Sequence, residues 1–201
     1  MSKKVGILGT GMVGQVLASG FIKHGHQVMI ATREAGKVSD WLEKNPGGKV
    51  GSHKEVAKWA DIIVLATKGT AAKAAIQLCD SVDLAGKTVI DATNPIADAP
   101  PTNGVLHYFT TLEESLMEQL QKASPKANFV KAFNSVGNAF MVDPDFGGVK
   151  PTMFICGNDA NAKKESTAIL DQFGWESEDM GGVEGARAIE PLCILWCIPG
   201  F

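Results

Sequence analysis

The run Gly9-Thr10-Gly11-Met12-Val13-Gly14 has the spacing G-x-G-x-x-G. Glycines placed this way do chemistry through the backbone. One lets the chain turn tightly, one lets peptide N–H groups approach a phosphate, and one lets a helix pack closely on a strand. The spacing alone is weak, because glycines recur in loops; its surroundings strengthen it. Lys4 to Gly9 reads as a short apolar strand running into the turn. Val13, Val16, Leu17, Gly20 and Phe21 follow at helical spacing, and Gln27-Val28-Met29-Ile30-Ala31 reads as a second strand. Such a βαβ unit sets a pyrophosphate on the free N–H groups at its helix N-terminus. Gly9, Thr10, Gly11, Met12, Val13 and Gly14 are therefore candidate dinucleotide-binding residues.

The end of the second strand decides which dinucleotide. A carboxylate there accepts from a ribose 2′-hydroxyl; here the order is Ala31-Thr32-Arg33-Glu34. A hydroxyl and a guanidinium come first, and both donate to a 2′-phosphate, the Arg as a planar fork that stays charged. Lys37 adds a second positive charge four residues on. Glu34 is the counter-signal, being able to reach a 2′-hydroxyl, and Arg33 with Glu34 also reads as a solvated surface pair. The balance favours NADP(H) over NAD(H), with Thr32, Arg33 and Lys37 as its 2′-phosphate contacts.

These residues need a scaffold, and the rest of the chain supplies one. A short polar helix over about 37–44 is followed by a brief third strand at Lys49-Val50-Gly51. Ser52 and Glu55 have the capping-box spacing and open a helix with His53 in its first turn, read as solvent-facing. Asp61 to Ala66 is an unbroken apolar run, as in a parallel strand buried on both faces. It ends at Thr67-Lys68-Gly69, before an alanine-rich helix to about Leu78. Another strand, Lys87 to Ala92, ends at Thr93-Asn94-Pro95. The loop-like stretch Ile96 to Tyr108 exceeds a usual connection. A helix over about 112–122, with Thr111 and Glu114 as a capping pair, precedes the strand Phe129 to Phe133 and Asn134-Ser135. Lys131 is read as pointing out of that strand's end, toward phosphate or substrate. A seventh strand spans Pro151 to Cys156, then a helix to about Phe173, a last strand at Gly174 to Ser177, and an apolar helix from Val183 to Ile198.

Strands alternating with helices predict an α/β fold: a Rossmann-like doubly wound, mostly parallel sheet with a short C-terminal helical extension. Residues 1–180 form the NADP-binding domain. Residues 181–201 form the extension, part of an acceptor pocket or dimer interface. Ligands in such folds bind outside the carboxyl ends of the strands. This adds Ala66, Thr67, Lys68, Asn94 and Pro95 to the cofactor candidates, and Asn134 with Asn94 as residues shaping the pocket.

The totals narrow the function classes. With 201 residues and a net charge of −3, the chain holds one sizeable domain and is no general binder of nucleic acid or anionic membrane. Lys3-Lys4 before an apolar stretch resembles a signal peptide. Glycines and Gln15 interrupt that stretch, so a cytoplasmic protein is expected, and no run approaches a membrane span. Cys79, Cys156, Cys193 and Cys197 form no C-x-x-C and have no histidine at ligand spacing, so reduced thiols and no metal site are expected.

At this level the chain resembles the NADP oxidoreductases related to the coenzyme F420-dependent enzymes, and with them the cytosolic domains of metalloreductases. The resemblance covers nearly the whole chain. It rests on Gly9 to Gly14, Thr32-Arg33, Asp91-Ala92-Thr93-Asn94-Pro95, Val130-Lys131-Ala132-Phe133-Asn134-Ser135-Val136-Gly137 and Glu190-Pro191-Leu192. It implies hydride transfer between NADPH and a flavin or deazaflavin-like acceptor (FMN, FAD or coenzyme F420). It also implies that Asn94-Pro95 lies by the nicotinamide and that Phe133 to Gly137 shapes the second pocket. In the archaeal deazaflavin enzymes a histidine takes the place of Asn134 and the loop at Thr93 to Pro95 is more apolar. The asparagine here matches the metalloreductase pattern and is compatible with a flavin.

Transfer between two redox cofactors needs alignment and a dry site rather than a strong protein acid or base. This agrees with the lack of a Tyr/Lys or Lys/His dyad; His107 beside Tyr108 reads as a surface loop histidine. Residues 181–201 leave no room for the large helical domain of hydroxyacid dehydrogenases. The apolar end Ile194 to Phe201 is costly to expose, which leaves two readings, packing on a partner subunit or a natural chain that runs further; a homodimer is expected. Two other functions compete: a non-catalytic NADPH-binding sensor, and a dehydrogenase of a small carbonyl substrate.

Overall fold

The computed structural model describes residues 2–200. Its strands are β1 (Lys4–Leu8), β2 (Gln27–Ala31), β3 (Gly48–Gly51), β4 (Ile62–Leu65), β5 (Thr88–Asp91), β6 (Asn128–Lys131), β7 (Thr152–Ile155) and β8 (Glu176–Asp179). Its α-helices are α1 (Met12–Lys23), α2 (Ser39–Lys44), α3 (His53–Trp59), α4 (Gly69–Gln77), α5 (Ser81–Leu84), α6 (Leu116–Ala123), α7 (Ala160–Gln172), α8 (Ala186–Ile189) and α9 (Leu192–Cys197). The first six strands make one parallel sheet in the order β3-β2-β1-β4-β5-β6. This is the doubly wound order, with its switch point between β1 and β4.

The alternation of side chains along each strand produces two apolar layers. Val5, Ile7, Val28, Ile30, Val64, Ile90 and Val130 face one way, onto Leu17 and Phe21 of α1 and Leu170 and Phe173 of the α7 region. Leu8, Ile63, Leu65, Val89 and Phe129 face the other, onto α3, α4 and α6 through Val56, Ile76 and Leu120. Both faces are covered, and all four residues of β4 are buried, as the unbroken apolar run predicts. No helix among the described residues is long and apolar enough to cross a membrane.

Three elements differ from the sequence reading. First, β7 and β8 do not extend the large sheet. They form a separate parallel pair, bridged to the β6 end by the Lys131 N–H donating to the Cys156 carbonyl at 3.0 Å. Glu176, Glu178 and Asp179 leave β8 too polar for burial between helices. Second, the helix expected from Leu112 begins at Leu116, and its capping box is Ser115 with Glu118, not Thr111 with Glu114. Tertiary partners decide: Arg187 grips Glu118 through two hydrogen bonds at 2.9 and 2.6 Å, while Thr111 caps only a local turn. Third, the expected single C-terminal helix is split into α8 and α9 around Glu190-Pro191, the proline lacking the N–H a continuous helix needs.

Candidate functional site

The loops after β1, β2 and β4 surround a cleft of about 420 Å³ at the switch point. Gly9, Thr10, Gly11, Thr32, Arg33, Lys37, Ala66, Thr67 and Lys68 line it, with Ala71, Ala74, Ala75 and Leu78 of the α4 side as an apolar wall. The three fingerprint glycines have separate reasons. Gly9 has φ +140°, and a Cβ there would overlap the Ala66 carbonyl at the end of β4. A Cβ on Gly14 would overlap the Gly9 carbonyl, so this glycine is what lets α1 sit on its own turn. Gly11 faces open space, where a ligand's phosphates can come up against backbone. The buried Thr67 hydroxyl has no partner among the described residues. An open backbone cradle, an orphaned hydroxyl and exposed cations fit a phosphorylated dinucleotide. Met12, Val13 and Gly14 belong to α1 rather than to the cleft lining, as do Asn94 and Pro95 to the next strand end.

The β2 turn is built by its own side chains. Thr32 Oγ1 donates to the Glu34 carbonyl at 2.8 Å and accepts from the Glu34 N–H at 3.0 Å, so this hydroxyl shapes the loop. Lys37 is paired with Glu34 at 3.1 Å, which turns that carboxylate toward a lysine. Lys68 pairs with Asp98 at 3.1 Å, both largely exposed. Sequence reasoning missed two residues here. Gln15 donates to the Thr10 carbonyl at 2.8 Å and ties the glycine turn to α1. His53, read as solvent-facing, instead lies half-buried in the cleft lining beside Arg33. Its burial, and then the charge of Arg33, hold its imidazole below the usual histidine range.

The next strand ends make a different kind of site. Asn94 and Asn134 follow β5 and β6 and bond to one another. Asn94 Nδ2 donates to the Asn134 carbonyl at 2.8 Å, and Asn134 Nδ2 lies 3.2 Å from Asn94 Oδ1. Asn134 Nδ2 also donates to the Ile189 carbonyl at 3.0 Å, while its buried Oδ1 has no partner among the described residues. Phe133, just before it, is buried with φ +64°. A bulky residue in this region is strained, and here it turns the chain off β6 to present Asn134. Gly69 at the start of α4 is a further missed residue: a Cβ there would overlap the Asn94 carbonyl.

Beneath this pair lies a buried charge cluster. Lys131 is not at the strand mouth, as its position suggested, but fully buried. Its Nζ lies 2.6 Å from Asp91 Oδ2 and 2.9 Å from Glu190 Oε1, and donates to the Thr93 carbonyl at 2.9 Å. Burial pulls this ammonium's pKa down, but the two carboxylates outweigh it and the pKa is raised. Glu190 also accepts the N–H groups of Leu116 and Met117 at 3.0 Å each, closing the first turn of α6. Asp91 Oδ1 accepts from the Thr93 N–H and hydroxyl at 2.9 and 2.6 Å. An unpaired buried charge would be costly; here every member is held by at least one other group.

The long connection after Asn94 is a compact excursion. Ile96 bridges Tyr108, and the Phe109 N–H closes onto the Pro95 carbonyl at 2.9 Å. The Tyr108 hydroxyl donates to the Glu190 carbonyl at 2.7 Å, and burial pushes its pKa up. His107 is exposed and hydrogen-bonded to Thr102 at 2.8 Å. The four cysteines are free; Cys193 and Cys197 face each other across one helical turn, 3.9 Å apart. Among the described residues no group of side chains could hold a metal ion.

Comparison with known proteins agrees with this architecture. The sequence profile of the family "NADP oxidoreductase coenzyme F420-dependent" matches residues 4–95. The crystal structure of a candidate F420-dependent NADP-reductase from Arthrobacter sp. FB24 is 32% identical with a TM-score of 0.90, covering 97% of this chain and 92% of that one. Metalloreductase STEAP3 of Rattus norvegicus is 27% identical over 98% of this chain, which spans only 38% of that protein. A reductive aminase from Aspergillus terreus, solved with NADPH, has a TM-score of 0.70 at 16% identity, over 100% of this chain and 62% of that one; this is a likeness of fold. The glycine cradle, the doubly wound order and a relative of nearly equal length place the chain in the coenzyme F420-dependent NADP oxidoreductase family, as an NADP-dependent oxidoreductase.

Proposed function

We propose that this protein moves a hydride between NADPH and a planar flavin or deazaflavin-like acceptor. One observation carries the reading: the reciprocal Asn94–Asn134 pair at the ends of β5 and β6, with the buried Asn134 Oδ1 left without a partner. The pair has polar atoms to orient an amide or a ring edge and nothing with which to move a proton strongly. Lys131 is committed to two carboxylates, and Tyr108 to the Glu190 carbonyl. A site without a free acid or base suits chemistry that the reacting groups supply themselves.

NADPH, when bound, supplies the hydride. The protein's own contribution is to hold and exclude. Gly9, Thr10 and Gly11 give the diphosphate its backbone donors, and Arg33 gives the 2′-phosphate a fixed charge. Asn94 and Asn134, locked by each other and by the Ile189 carbonyl, orient the reacting end. Such fixed groups cost no reorganisation during the reaction. Trp196 stands 3.7 Å from where a Gly137 side chain would begin and is 43% exposed, beside Leu195 at 67%. These side chains offer an apolar wall for a flat ring. We propose too that a second copy of the chain completes this wall, since Ile198 extends the apolar surface. Light scattering in solution tests that dimer, and a monomer at working concentration rejects it.

The function is tested by following NADPH absorbance anaerobically with FMN, FAD and coenzyme F420. Oxidation with at least one is expected. Tight NADPH binding with no oxidation by any of the three leaves a nucleotide-binding sensor. Turnover of a carbonyl compound without flavin makes it a dehydrogenase.

A further inference from the structure

We propose that His53 is a second 2′-phosphate-selecting residue, closing with Arg33 on that group as a pH-dependent clamp. The proposal rests on the assignment of the cleft to the adenosine end of NADP(H). His53, at the start of α3, and Arg33, on the loop that follows β2, line the same cleft. Two other candidates are already occupied: the Thr32 hydroxyl works within its own turn, and Lys37 is paired with Glu34. The His53 ring nitrogens have no hydrogen-bond partner among the described residues, although the residue is half-buried. Its backbone is fixed on both sides. Ser52 before it forms the capping box with Glu55, and its carbonyl accepts from Cys79 Sγ at 3.6 Å. A positioned imidazole with free nitrogens, lining the same cleft as an exposed arginine, is a donor lacking its acceptor.

The charged groups around His53 set the sign. From the β2 loop it faces Arg33 and the Glu34–Lys37 pair. On its own helix, Lys54 is paired with Asp80 at 3.1 Å and the Glu55 carboxylate is held by Ser52. From the end of α4 comes the Cys79 thiol, pushed up to about 12 by burial and so neutral. In the free protein, burial and then Arg33 keep the imidazole neutral at neutral pH. A phosphate dianion set between the two reverses that balance, because an opposite charge within a few ångströms favours the protonated ring. Binding NADPH therefore takes up a proton, and affinity rises as pH falls. Binding NADH does neither. The phosphate's own second ionisation, at roughly pH 6, acts in the opposite direction.

Calorimetric titration of the whole chain with NADPH and NADH tests this, from about pH 8 to about pH 6 in two buffers of different ionisation enthalpy. The NADPH-to-NADH affinity ratio is expected to rise about tenfold across the range, the size of one charge-assisted hydrogen bond, with proton uptake for NADPH alone. His53→Gln keeps a neutral donor at the same place. Its proton uptake should vanish and its ratio should fall, not rise, as pH drops; an unchanged thermal midpoint shows that it folds. A flat ratio in the native chain, or a ratio and proton uptake that His53→Gln leaves intact, overturns the clamp. No preference for NADPH at any pH removes the underlying NADP assignment instead, and Arg33→Ala then discriminates nothing either.

Discussion

The two halves of the site are built on opposite principles. At the ends of β1, β2 and β4, donors are left open: glycine backbone, exposed Arg33, the unpartnered Thr67 hydroxyl. At the ends of β5 and β6 the side chains are already tied to one another, Asn94 to Asn134, Asn134 to Ile189, Lys131 to Asp91 and Glu190, and the Asn134 Oδ1 is left open among the described residues. The open half waits for a ligand that brings its own charge. The closed half has fixed its geometry before anything binds, with buried ion pairs standing in for a ligand's contacts. A nucleotide anchor tolerates mobility because its binding energy is electrostatic. A reacting end does not, since alignment to a fraction of an ångström decides the rate.

The sharpest way to break this comparison is Lys131→Ala. It leaves Asp91 and Glu190 buried without their cation, and removing one partner of a buried pair costs about 3–5 kcal/mol. Urea unfolding should show that loss. Lys68→Ala, removing an exposed lysine paired only with Asp98, should stay within about 0.5 kcal/mol of the native chain. Equal, small losses for both would mean that the charge cluster does not anchor the closed half.

Arg33→Ala should do the reverse, sparing stability and weakening the ligand. Losing a charge-assisted bond to the 2′-phosphate costs about 1.5–3 kcal/mol, or about one to two decades in Kd for NADPH. NADH should change little. Equal losses for the two nucleotides would remove Arg33 from the 2′-phosphate.

This contrast also explains what the sequence could disclose. The open half was legible because its determinants are local: a glycine spacing, a strand on each side, and Thr32-Arg33 at a strand end. The doubly wound order followed from alternating elements and from the unbroken apolar run of β4. The closed half was not legible in the same way. Asp91, Lys131 and Glu190 lie on three distant stretches, and nothing in their spacing shows that they meet. Lys131 looked like a strand-end contact because a lone lysine is expected to find water. The start of α6 was misplaced for the same reason: Thr111/Glu114 and Ser115/Glu118 share one spacing, and Arg187 and Glu190, some seventy residues away, choose between them. His53 was misread because a helix's first turn is normally exposed, and only the fold brings the β3 loop alongside Arg33.

A substitution at the seam between the halves tests whether they can be separated. Gly69 starts α4 and touches the Asn94 carbonyl. Gly69→Ala forces backbone apart there, and overpacking of this kind costs about 1–3 kcal/mol. Hydride transfer to the acceptor should slow while NADPH affinity stays within about threefold of native, because the cleft's own donors are untouched. If affinity and rate fell together, the two halves would be one unit.

The smallest effect concerns the outer rim of the closed half, where Arg187 holds Glu118 at the start of α6. The arginine's two hydrogen bonds bring the Glu118 carboxyl from 4.5 to about 2, against the opposing effect of burial and with help from Ser115. A carboxylate whose folded pKa lies below its unfolded one adds stability that is fully present above the unfolded value. That stability is lost as pH falls through the folded one. The window is therefore pH 4.5 down to about 2. Above that window the pair's contribution to the thermal midpoint should not change with pH, and within it the midpoint should fall. Arg187 is 40% exposed in its side chain, so water and salt screen the interaction. Arg187→Ala should lower the midpoint at neutral pH by much less than Lys131→Ala and flatten the acid limb. An acid limb as steep in Arg187→Ala as in the native chain would show that the arginine does not hold the α6 cap. A neutral-pH loss as large as that of Lys131→Ala would show that the charge cluster extends to the surface and that the closed half has no exposed rim.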